Sequence, residues 1–169
     1  TVAFGHGIAT TLLQLSKGYS IISNGGYEIT PTLLKKEKLQ RQRILNENLS
    51  ETINPILRKI VSTKEGTAGF ANVKGYEIGG KTGTADQPLK GGYSKKKVNS
   101  FASVFPTSDP KFVLAVMLDE PKANREFVYH YRDDRYPYKG NWRNTAGWTT
   151  VWVTGQIMDK IGPILATKY

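Results

Sequence analysis

A chain of 169 residues sets one domain as the default and is long enough to bury a real core. The absence of cysteine excludes disulfides, thiol catalysis and thiolate metal sites, and His6 and His130, far apart, do not make a structural zinc site. A net charge of +10 permits nucleic acid, an anionic membrane surface or an acidic polymer as partner.

In chain order, Ile8, Leu12, Leu15, Tyr19 and Ile22 recur in steps of four and three, which predicts an amphipathic helix starting near Thr10 or Thr11. Asn24-Gly25-Gly26 ends it, because glycine just past a helix accepts a left-handed backbone. Ile29-Thr30-Pro31 reads as extended, and Lys35, Lys36, Lys38, Arg41 and Arg43 make a charged, exposed excursion. A second helix covers Ile53, Ile56, Leu57, Ile60 and Val61, capped by Asn46 or by Asn54. Proline suits the first turn after an Asn54 cap, whereas Pro55 would kink a helix begun at Asn46. Gly66-Thr67-Ala68-Gly69 breaks the chain.

Tyr76 to Ala85 then reads as a glycine-rich strand around Gly79-Gly80-Lys81-Thr82-Gly83-Thr84. Glycines in a strand mark close approach by a ligand or another backbone. Lys81 offers a cation, and alternation turns the Thr82 and Thr84 hydroxyls to one face. Such an edge can take an extended peptide as an added strand and hold its terminal carboxylate. The plainer reading is a turn or kinked strand with an exposed lysine. Asp86 to Ser94 reads as a loop followed by the lysines 95–97, Phe101 to Phe105 as a strand and Pro106 to Lys111 as a turn. Phe112 to Leu118 is apolar on both faces, as in a central strand. Residues 121–144 read as an irregular aromatic and charged loop. Its rings could stack bases, but Asp133-Asp134 would repel phosphates, so rings packed on the domain are the better expectation. A last helix from Thr145 carries Trp148, Val151, Trp152, Gly155 and Met158, and Gly162-Pro163 stops it. Helix, helix, three-stranded meander, helix is an α+β arrangement: an antiparallel sheet flanked by helices.

With these motifs in order, the chain resembles the C-terminal part of the transpeptidase domain of class B penicillin-binding proteins. Lys81-Thr82-Gly83-Thr84 is similar to the K-T-G element of that serine acyltransferase superfamily. Gly5-His6-Gly7-Ile8 with Thr11-Leu12-Leu13-Gln14-Leu15, Glu65-Gly66-Thr67-Ala68 and Ile161-Gly162-Pro163 resemble the flanking segments. The resemblance implies part of the penicillin-binding, serine β-lactamase-like fold, spanning residues 1–169 as a portion of one domain. Lys81 and Thr84 would be catalytic, and Thr82, Gly83 and Thr84 substrate-binding. Lys81 would support the network that deprotonates the nucleophile and attract the substrate carboxylate. The two threonine hydroxyls would bind that carboxylate, and the Thr84 N–H would form half of an oxyanion hole. The implied partners are the D-Ala-D-Ala end of a peptidoglycan stem peptide, β-lactams that mimic it, and other cell-wall synthesis proteins. Cofactor, metal and nucleic acid are not implied. The implied location is the periplasmic side of the inner membrane, on a single N-terminal anchor.

The departure is the nucleophile. The family's S-x-x-K and S-x-N motifs precede K-T-G; no S-x-N occurs here, and Ser94-x-x-Lys97 and Ser108-x-x-Lys111 both follow that strand. Both read as coincidence, because a nucleophile needs a helix start and an adjacent base. The start at Thr1 rather than Met, with no signal-peptide pattern and no membrane-span-length apolar run, is read as an excised piece of a longer protein. A truncated sheet would expose an edge open to dimerisation. The alternatives are a basic nucleic-acid-binding module or a non-enzymatic interaction domain.

Overall fold

The computed structural model describes residue 3 and residues 7–34, 42–130 and 137–168. Gly5 and His6, the basic residues Lys35 to Arg41, and Tyr131, Asp133, Asp134 and Tyr136 lie outside the described residues.

Helix α1 spans Leu12–Ser23 under a capping box. The Thr11 hydroxyl accepts from the Gln14 N–H at 3.1 Å, and the Gln14 side chain accepts from the Thr11 N–H at 2.9 Å. Ile8 therefore precedes the helix, and it is exposed. Asn24 caps the other end, where Gly25 and Gly26 take φ of +86° and +81°.

Helix α2 spans Asn48–Ser62 and runs through Pro55, so neither expected cap opens it. The Asn46 side chain accepts from the Asn48 N–H at 3.0 Å, just outside the helix. Asn54 is buried and donates to the Ser23 carbonyl at 3.1 Å. Pro55 faces solvent, where water can take the carbonyl that its missing N–H leaves without a partner. Ser50 adds a second tie, donating to the Ile22 carbonyl at 2.6 Å and accepting from the Gly25 N–H at 2.8 Å. The end of α1 and the first half of α2 are thus joined through polar side chains.

Three antiparallel strands follow in the order β1-β2-β3: β1 Gly79–Leu89, β2 Gly92–Phe105 and β3 Phe112–Asp119. Strand β1 begins three residues later than expected, because Gly75 and Glu77 hold φ of +93° and +46° and turn the chain there. The Glu77 carboxylate accepts from the Ser108 hydroxyl at 2.5 Å, which holds it below the usual carboxylate range. The expected 86–94 loop is instead a hairpin. Strand β1 continues to Leu89, reverses at Lys90-Gly91, and absorbs Pro88 at a register shift after Asp86. The lysine run accordingly sits on β2, with Lys97 paired to Asp86 at 2.9 Å and Lys96 to Glu120 at 2.8 Å. Strand β3 is at an edge among the described residues, and β2 is the central strand. The apolar faces of β3 have a different cause: α1 packs on it, and so does the C-terminal helix.

That helix, α3, spans Thr150–Ala166 after a single 3-10 turn at Ala146–Trp148. It passes through Pro163, against expectation. Pro163 is exposed, while Gly162 is a packing residue: a Cβ there would collide with the Tyr76 ring. The segment expected to be irregular contains a short hairpin, β4 Val128–Tyr129 with β5 Tyr138–Lys139. Phe127 and Tyr129 pack inward as expected, whereas Trp142 is exposed to solvent. Phe127 meets Trp152 at 5.3 Å between centroids, and Tyr129 meets Phe70 at 5.5 Å. The core gathers Val61, Ala68, Ala71, Ile78, Phe101, Phe105, Val151 and Met158 from helices and sheet.

Candidate active site

Strand β1 pairs with β2 along one side only, so its outer edge is unpaired among the described residues. Two features press this strand into place. A Cβ on Gly79 would lie 2.8 Å from the Arg58 nitrogen and 2.9 Å from the Leu57 carbonyl carbon, so α2 backbone lies against it. The Arg58 guanidinium donates to the Ile78 carbonyl at 2.7 Å and to the Asn72 side chain at 2.9 Å, fixing the entry to the strand. At Gly79 the missing Cβ therefore serves packing against the protein's own backbone.

Alternation puts Lys81, Gly83 and Ala85 on one face and Gly80, Thr82 and Thr84 on the other. Lys81 is exposed, and its ammonium donates to the Thr82 carbonyl at 2.9 Å. Among the described residues it forms no ion pair. Gly83 lies opposite Ser100, whose hydroxyl oxygen is 2.5 Å from where a Cβ would stand. Lys81, Gly83 and Ser100, with Thr82 and Thr84 at its border, line an open cavity of about 1020 Å³ that reaches the start of α1.

On the opposite face, the Thr82 hydroxyl lies 3.2 Å from that of Thr67. The Thr84 hydroxyl accepts from the Ala146 N–H at 3.0 Å. A hydroxyl that accepts from an N–H still has its own proton to donate. Behind it, Asn99 is fully buried and donates to the Asn144 carbonyl and the Thr149 hydroxyl, each at 2.7 Å. Thr67, Thr82 and Thr84 line a second cavity, of about 470 Å³, walled by Trp148 and Arg143.

The structure thus brings Lys81, Thr82, Gly83 and Thr84 to one strand edge but splits them between two faces. Three further residues have no role assigned from sequence. Thr67 belongs to the Glu65-Gly66-Thr67-Ala68 segment without a function of its own. Asn99 stands beside Ser100 just before the strand read at Phe101 to Phe105, and nothing local singles it out. Arg143 gave no local signal.

The two formal S-x-x-K matches have lysines already occupied. Lys97 pairs with Asp86 at 2.9 Å, and Lys111 pairs with Asp109 at 2.7 Å. The Ser94 hydroxyl accepts from the Lys96 N–H at 3.0 Å, and that of Ser108 donates to Glu77. No helix of the described residues is long and apolar enough to cross a membrane.

Residues 1–135 match the family pattern described as the penicillin binding protein transpeptidase domain. The chain belongs to that family. It is 30% identical, over 99% of its length, to a probable peptidoglycan D,D-transpeptidase FtsI of Caulobacter vibrioides, of which it spans 28%. To the stage V sporulation protein D of Bacillus subtilis it is 33% identical over 75% of its length, spanning 22% of that protein. The chain therefore spans less than a third of these relatives. Its fold superposes on the transpeptidase domain of penicillin-binding protein 3 from Burkholderia pseudomallei with a TM-score of 0.75 at 25% identity, covering 97% of this chain and 45% of that one. Penicillin-binding protein 3 of Mycobacterium tuberculosis, solved with ampicillin, gives a TM-score of 0.68 at 25% identity, over 94% of this chain and 36% of that one.

The Thr84 hydroxyl also has a structural task within this transpeptidase fold. Ala146 is buried, and Thr84→Val removes the acceptor of its N–H while keeping the side-chain shape. Stability should fall by about 1–3 kcal/mol, read as a lower urea midpoint, and Thr84→Ser should restore most of it. An unchanged midpoint in Thr84→Val would show that this bond contributes nothing.

Proposed function

We propose that this chain supplies the carboxylate-binding and oxyanion side of a serine D,D-transpeptidase site that cross-links peptidoglycan. The observation that carries the reading is the open edge of β1, with Lys81 on one face and the Thr82 and Thr84 hydroxyls on the other. An extended D-Ala-D-Ala terminus adds to such an edge as a further strand. Its carboxylate is received by the hydroxyls of Thr82 and Thr84, and Gly83 lets the ligand backbone come close. The Thr84 N–H donates to the carbonyl oxygen as it becomes an oxyanion, a contact typically worth about 2.7–4 kcal/mol in the transition state. Lys81 draws the anionic terminus to the edge and supports the proton network of the nucleophile. β-Lactams occupy the same edge, and other cell-wall synthesis proteins act with the whole enzyme on the periplasmic side of the inner membrane. A second copy of this chain is the other occupant that such an edge would accept.

The acylated serine is neither Ser94, which lies within β2, nor Ser108, in the turn between β2 and β3, because neither stands at a helix start with an adjacent base. Incubation of this chain with a labelled penicillin should leave its intact mass unchanged. Joined to a segment that carries S-x-x-K and S-x-N, it should gain one acyl group, and Lys81→Ala should slow that gain about a hundredfold. A stable adduct on the chain alone, or acylation indifferent to Lys81, would overturn the reading.

A further inference from the structure

The cavity on the hydroxyl face of β1 has one charged wall residue among the described residues, Arg143. Its guanidinium carbon sits 4.0 Å from the centroid of the Trp148 ring and 5.6 Å from that of Tyr138. Trp148 is in turn packed edge-on against Phe70 at 5.3 Å and Tyr129 at 5.2 Å. A guanidinium held by its flat face keeps its N–H groups, which lie in the plane, for other partners. One of them, on Nε, donates to the Lys139 carbonyl at 3.4 Å. Arg143 forms no ion pair among the described residues. It lies close enough to Tyr129 to offset part of the rise that burial imposes on that phenol.

A planar cation without an ion pair among the described residues, lining one cavity with Thr67, Thr82 and Thr84, matches the donor pattern that a carboxylate accepts. Lys81 lies on the other face of β1 by alternation and lines the larger cavity, which Thr82 and Thr84 also border, but it does not line the cavity that holds Arg143. Each face of β1 therefore has its own cation. We infer that Arg143 is a specificity-determining residue that pairs directly with the terminal carboxylate of a peptide or β-lactam received on Thr82 and Thr84. This rests on the proposed role of β1 as the substrate strand and adds the partner that its hydroxyl face lacks.

The test uses N-acetyl-D-Ala-D-Ala and its C-terminal amide, titrated into the isotope-labelled 169-residue chain while the Thr82 and Thr84 amide resonances are followed. Wild type should bind the acid about tenfold or more tightly than the amide, and Arg143→Met, which keeps the stem over Trp148, should lose most of that preference. Should Arg143→Met lose its spectral dispersion, Arg143→Gln is read in the same way. A folded variant that keeps the full preference for the acid overturns the role of Arg143 and leaves the substrate-strand reading standing. Resonances at Thr82 and Thr84 that move with neither probe in wild type overturn both.

Discussion

Phe101→Ala should destabilise the fold more than truncation of any other residue of the sheet. Phe101 lies on the central strand, fully buried, directly opposite Thr82 and Val116. Its ring supports the strand that carries the site, since a Cβ on Gly80 would lie 2.7 Å from the ring's Cζ. Replacing a buried phenylalanine with alanine removes transfer energy and leaves a cavity, together about 3–5 kcal/mol. For a chain of this size each kcal/mol lowers Tm by about 2–4 °C, so the melting temperature should drop by roughly 6–20 °C. That is a large share of the 5–15 kcal/mol or so of a typical domain. A calorimetric shift below about 3 °C would mean that the neighbouring side chains close over the hole. Phe101→Leu, which keeps most of the volume, should cost less.

Trp148→Ala has an expected effect of similar size by a different route. The indole joins Phe70, Tyr129 and Tyr138 at centroid distances of 5.2–5.7 Å, and it supports the Arg143 guanidinium. Loss of the ring should destabilise by about 3–5 kcal/mol at the upper end, because aromatic pairs add to simple area burial. The distinguishing readout is local. The Ala146 amide, bonded to the Thr84 hydroxyl, should lose hydrogen-exchange protection before the amides of β2 do. Trp148→Phe should keep much of the stability but hold Arg143 less well, since a smaller ring binds a cation more weakly. Equal protection of Ala146 in wild type and Trp148→Ala would show that the 3-10 turn is held without the indole.

Much of the local order was legible in the chain. The Thr11 cap and the Gly25-Gly26 stop depend on near neighbours alone, and so does the strand character of Lys81 to Ala85. The misreadings share a cause. Pro55 and Pro163 look like helix breakers in isolation, yet both face solvent, where water can take the unmade backbone bond while the packed face carries the helix through. Pro88 and Gly91-Gly92 look like a loop, yet the register shift and a tight reversal let β1 and β2 continue past them. Strand β3 is apolar on both sides because helices cover it, a pattern that cannot distinguish the middle of a sheet from a covered edge.

By itself, then, the sequence determined the order of the three helices and the three-stranded meander, the K-T-G strand and the shared face of Thr82 and Thr84, but not the β4–β5 hairpin. Only the tertiary structure decided which partners those hydroxyls meet. Thr67 lies 15 residues from Thr82 and Ala146 lies 62 from Thr84, and the cavity that Thr67, Thr82 and Thr84 share with Arg143 exists only once the Gly66-Thr67 segment and the 3-10 turn ending at Trp148 have packed against β1. The physical reason is range: caps and alternation act through bonds to near neighbours, whereas a binding cavity is made by segments that nothing in the local chain obliges to meet.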